Sequence, residues 1–149
     1  MKPDTRKRER GQAMVETAIA IPILLVLMVG IFEVGRAYET WQVLTNAARE
    51  GARMAVMPTS DPDTTTALVR EYMSNGQLTK AAAASVVINE GASINVNGTA
   101  VSASLVTVDY PFEFIMLQPV VRLVAPGATV GGPMTMRATA VMRNEAAAP

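Results

Sequence analysis

Few side chains in this chain are equipped for chemistry. Its 149 residues include neither histidine nor cysteine. That removes the usual general base, the commonest metal ligand, thiolate catalysis and any Cys-ligated zinc or iron–sulfur site. Asp61 and Asp63 are oxygen donors of the kind calcium takes, but no glycine turn or distal acid follows them, and both suit helix capping. Asn97-Gly98-Thr99 fits a glycosylation acceptor, but its Asn-Gly pair is a two-residue hairpin signal that accounts for it without modification. Glu71, Glu90, Asp109 and Glu113 lack paired spacing, and the sequence has no nucleophile elbow, phosphate loop or dinucleotide fingerprint. One arrangement has a reaction attached to it: Arg10-Gly11-Gln12-Ala13-Met14-Val15-Glu16. A cut after Gly11 would free a positive amine on Gln12. Glu16, the fifth residue of the shortened chain, could then pair with the amine of a neighbouring copy. An unpaired acid there is costly in low dielectric, and a paired one fixes register. The plainer alternative is that Glu16 reaches back to the aqueous interface.

The element that must position these residues is a membrane helix. Formal net charge is zero, which gives no support for a nucleic-acid partner. The charge is unevenly spread, however. The first eleven residues carry five basic and two acidic side chains, whereas Glu33 onward carries eight basic and ten acidic. Between them Thr17–Phe32 runs sixteen residues without a charge, about 24 Å as a helix. Extension back to Gln12 gives 21 residues and about 31 Å, enough to span. The sixteen residues include ten Ile, Leu, Val or Phe, worth about −3 to −6 kcal/mol on insertion. That outweighs one acid placed near an interface. Pro22 removes one backbone donor and should bend the helix, which bilayers tolerate. The basic cluster keeps the N-terminus cytoplasmic and sends Glu33 onward across the membrane. Such a segment is a permanent anchor, a secretory signal with Gly35-Arg36-Ala37 as its cleavage site, or a leader trimmed from a retained stalk.

From Glu33 to Met57 the chain has no proline and keeps a helical period. Val34, Ala37, Tyr38, Trp41, Leu44, Ala48, Ala52 and Ala55 fall within an arc of about 120°, opposite Glu33, Arg36, Glu39, Gln42, Asn46, Arg49, Glu50 and Arg53. The sequence therefore predicts that the membrane helix continues outside as an amphipathic helix. Arg49, Glu50 and Arg53 form a surface ion-pair cluster by default, and a candidate subunit contact.

At this point the residues resemble a family. Arg10 to Arg53 is similar to the TadE-like pseudopilins of bacterial tight-adherence (Flp-type) pilus systems. Gly11 and Glu16 stand at the family's processing junction and acid, and Pro22 at its proline. Gly35-Arg36-Ala37 and Asn46-Ala47-Ala48-Arg49-Glu50-Gly51-Ala52-Arg53 match its recurring tail. Tyr110-Pro111-Phe112 and Met134 to Arg143 look similar to its late strands, and TadF-like pseudopilins share much of the pattern. The resemblance implies cleavage between Gly11 and Gln12 by a prepilin peptidase of the inner membrane. It implies a minor pilus-associated subunit whose partners are other pilin-like subunits, the inner-membrane assembly machinery and membrane lipid. No enzyme activity, cofactor, metal, nucleic acid or small-molecule substrate is expected. A permanently anchored extracytoplasmic binding or sensing domain is the competing reading.

The remainder predicts one small α+β domain. Expected divisions are a leader at 1–11, a transmembrane helix at 12–32, its extracytoplasmic continuation at 33–57 and a globular region at 58–149. A second helix is expected from about Asp63 to Met73, with Asp61 or Asp63 as its N-cap; it should present Leu68, Val69 and Tyr72, and Ser74-Asn75-Gly76 stops it. Lys80 to Ala84 suggests another helical turn. Ser85–Asn89, Ser93–Val96, Ala100–Tyr110 and Met134–Met142 are rich in Val, Ile and Thr and read as strands. A break in alternation near Leu105 suggests a bulge or a strand covered on both faces. Pro111 to Pro133 reads as a long connection with a short turn near Met116. The fold expected is pilin-like: a long N-terminal helix laid on a small antiparallel sheet, with a second short helix beside it.

Overall fold

The computed structural model describes residues 5–144. In chain order it contains helix α1 (Thr5–Ala55), helix α2 (Pro62–Asn75), strands β1 (Ser85–Val96) and β2 (Thr99–Phe112), helix α3 (Leu117–Val124) and strand β3 (Met134–Arg143). This is the α+β, pilin-like arrangement that the sequence predicts. The chain divides into two compact units. One holds α1 up to Arg36 together with Glu113–Gly132, and the other holds Ala37–Phe112 with the chain from Pro133 onward.

In the second unit the three strands form one antiparallel sheet with β2 in the middle. The β1–β2 turn is Asn97-Gly98, with φ of 52° and 86°. Two consecutive positive φ values are what a right-twisted two-residue hairpin requires, and Asn-Gly supplies them at least cost. Asn89 pairs with Leu105 and Ala92 with Ala103, so Glu90 and Gly91 together face Ser104. The bulge expected in β2 therefore lies in its neighbour, and β1 runs through as one strand. Past it, Ser104, Val106, Val108, Tyr110 and Phe112 point alternately to the buried face.

The outer part of α1 packs on that face. Leu44, Ala47, Ala48 and Ala52 are fully buried. A Cβ on Gly51 would stand 2.6 Å from Val69 Cγ2 and 3.2 Å from Val106 Cγ1, so α2 and β2 both press on the one position without a side chain. That contact sets the rotation of the helix and corrects the predicted stripe. Thr40, Ala47 and Gly51 turn inward, while Tyr38 and Trp41 remain exposed. In the first unit, Val34 is exposed as well. The α2 face shifts in the same way: Thr65, Val69 and Met73 are buried, Leu68 is half-buried and Tyr72 is exposed.

The helix ends are satisfied by named groups. Pro58 prevents continuation of α1, whose Ala55 carbonyl lies 3.3 Å from the Ser104 hydroxyl and 3.4 Å from that of Ser60. Asp61 is the N-cap of α2, accepting the Thr64 amide through Oδ2 at 3.3 Å, with Pro62 in the first turn. Capping therefore accounts for Asp61. The turn expected at Lys80–Ala84 is a 3-10 turn at Ala81–Ala83, and the Lys80 amide donates to the Tyr110 hydroxyl at 3.3 Å. Asp109 and Arg137, directly opposite on β2 and β3, make a two-pronged ion pair at 2.6 and 2.8 Å.

Candidate processing and assembly site

Three parts of α1 carry the residues singled out in the sequence. At its inner end Gly11 and Gln12 lie within the helix and are exposed. Apart from its chain neighbours and its own helix backbone, nothing among the described residues comes within 4 Å of where a Gly11 Cβ would stand. Packing among the described residues gives no reason for a glycine there, in contrast to Gly51. Glu16 follows Gln12 by four residues, so the two share a helix face. It is exposed, and among the described residues no hydrogen bond or ion pair engages it. The next residue, Thr17, bonds back to the Ala13 carbonyl at 2.8 Å, as in a regular helix.

Beyond Glu16 none of the residues to Phe32 is buried. Ile19, Ile23, Leu24, Leu27, Met28 and Ile31 are all more than half exposed. This stretch is apolar all round; an 18-residue window of the helix reaches a mean hydropathy of 2.5, and the helix is long and apolar enough to cross a membrane. Pro22 sits inside it without ending it.

The outer part of α1 presents an exposed face. Tyr38 and Trp41 stack obliquely, their ring centres 6.3 Å apart. With Gln42, Thr45, Asn46 and Arg49 they line a shallow depression. Arg49 is exposed and has no partner among the described residues. Glu50 and Arg53 instead satisfy each other, at 2.7 and 3.2 Å. The hydrogen bond from Arg53 lowers the Glu50 pKa, so this pair stays charged. The three residues named together in the sequence thus separate into a closed pair and one available cation.

Residues 11–53 match the TadE-like protein family. The match bears out the resemblance read from the sequence. No curated protein and no solved structure matches the chain. The TadE-like segment begins at Gly11 and takes in Glu16, Pro22, the apolar span and the Tyr38–Arg49 face, and it associates the chain with tight-adherence pilus machinery in general.

One residue of the TadE-like segment was misread. The sequence puts Glu33 on the solvated side of the helix, yet it is fully buried. Its Oε1 accepts the backbone amides of Ile115 and Met116 at 2.8 and 2.6 Å, and its Oε2 accepts Arg36 at 2.6 Å. Burial alone would raise its pKa. The Met116 and Ile115 amides and Arg36 outweigh that and hold it below the ordinary carboxylate value. Met116 is the N-cap of α3 and offers no side-chain cap of its own; Glu33 takes the amide of that residue and of Ile115 just before it. A charge immediately after an apolar run was the visible signal, but its partner lies 82 residues away.

Proposed function

We propose that this protein is a minor pilin-like subunit of a tight-adherence pilus, held by the 12–32 helix in the bacterial inner membrane with its N-terminus cytoplasmic. A prepilin peptidase removes residues 1–11 by cutting between Gly11 and Gln12. The new Gln12 amine and the Glu16 of an adjacent subunit then pair and set the register of stacked helices. The protein acts as a structural component, not a catalyst.

The observation that carries this reading is the coincidence, at one place, of the start of the family match, a glycine with no packing role, and an exposed acid at the edge of an apolar helix. An acid so placed is disfavoured in lipid unless it finds a cation, and a neighbouring amine is the cation that trimming creates. The exposed Tyr38–Arg49 face is suited to a sibling subunit, because aromatic residues and arginine are the side chains that contribute most at interfaces. Glu16→Ala tests the assignment in the native host. Membrane insertion should persist, since the change removes a charge from the span, while pilus assembly fails. Normal assembly by the variant would remove the role given to Glu16.

A further inference from the structure

The polypeptide between β2 and β3 belongs to the same compact unit as the apolar part of α1. The connection, residues 113–133, carries two charges, Glu113 at its start and Arg122. Helix α3 within it is strongly one-sided. Leu117, Val120 and Val121 are half-buried in the unit, whereas Leu123 is 78% exposed and Val124 46%. Ile115, Met116 and Val130 add exposures of 61, 51 and 58%. A connection that merely crosses water has no reason to present so many large apolar side chains beside two charges.

Glu33 fixes the depth of this segment. It is the first residue past the 12–32 span, and its carboxylate holds the Ile115 and Met116 amides within 2.8 Å. The start of α3 therefore lies level with the outer end of the span, whose last residues, Ile31 and Phe32, are themselves exposed. We propose that residues 115–130 form a second membrane contact, an amphipathic element lying in the outer-leaflet boundary of the bilayer. Its exposed apolar side chains enter the acyl region, as those of interfacial helices do to about 5–10 Å, and Arg122 reaches the headgroups. The occupant of this surface is lipid, because the same unit already enters lipid through α1 and the Glu33 tie leaves α3 at that boundary. This inference rests on the membrane-spanning reading of α1.

The chain has no native cysteine, so single spin labels can be introduced in the full-length protein. Labels at Leu123→Cys and Val130→Cys are compared with Ile23→Cys in the span and Val87→Cys on the exposed sheet. The protein is reconstituted in vesicles of phosphatidylethanolamine and phosphatidylglycerol. Collisions with oxygen, which concentrates in lipid, are measured against those with a water-soluble nickel chelate. The expected result is an oxygen-to-nickel ratio several-fold higher at 123 and 130 than at 87, approaching that at 23. A lipid-like value at 23 with water-like values at 123 and 130 would overturn the inference and leave the span intact. Shielding of 123 and 130 from both reagents would assign the surface to protein and also overturn it. A water-like value at 23 would overturn the span, and the inference with it.

Discussion

Two glycines of the TadE-like segment separate folding from processing. Gly51 fills the one place on α1 where Val69 and Val106 leave no room for a methyl group. Gly51→Ala gains up to about 1 kcal/mol of helix propensity but incurs about 1–3 kcal/mol of overpacking. A lower melting temperature in detergent is expected. Gly11 meets open space, so Gly11→Ala should leave the melting temperature unchanged or slightly raised. The expected consequence of Gly11→Ala is slower trimming in the native host, visible as accumulation of the longer chain on a gel. Equal melting losses for both variants would contradict the packing argument. Glu33 is the other residue whose role its own position does not disclose. Glu33→Ala leaves the Ile115 and Met116 amides without their acceptor, a loss of roughly 1–3 kcal/mol if they stay buried. Hydrogen exchange at those two amides should accelerate while amides of β2 keep their protection.

At the scale of elements, the sheet is tied across its centre by Asp109 and Arg137. Hydrogen bonding from Arg137, then its charge, holds the Asp109 pKa below the ordinary value. A depressed carboxylate pKa means stability that is fully present above the unfolded value of about 3.9 and is lost as pH falls through the folded value. The melting difference between wild type and Asp109→Asn should therefore be present at neutral pH and vanish in acid. It should be small, because Arg137 is largely exposed. A difference independent of pH would mean that the aspartate acts by shape alone. The elements themselves were largely legible. The apolar helix, the Asp61 cap, the Asn97-Gly98 turn and the strand-forming stretches follow from local chemistry that one stretch of sequence contains, although two of the four expected strands are joined as β1. Which face of α1 or α2 is buried does not. Tyr38 and Trp41 look like core residues on a helical wheel, yet the close approach at Gly51 turns the helix so that they point outward. The sequence predicts only a turn where α3 forms, and the group that holds the chain entering it, Glu33, comes from another element. Rotation and long-range hydrogen bonds depend on three-dimensional partners, and periodicity carries no information about those.

At the scale of the whole chain, the sequence of events proposed is insertion, trimming and lateral stacking. In that proposal the basic residues of the first eleven set orientation, the apolar helix from Gln12 to Phe32 holds the protein in the membrane, and Glu16 meets the amine that trimming frees. The sheet and the helices packed on it already bury Leu44, Val69, Met73, Val106 and Val108 within the single chain. What the steps require is a new N-terminus. Intact mass, supported by N-terminal sequencing, of the protein isolated from membranes of its native host measures this directly. A mature chain beginning at Gln12 is the predicted result. A protein that always retains the residues before Gly11 would contradict the account and leave a permanently anchored extracytoplasmic domain in its place.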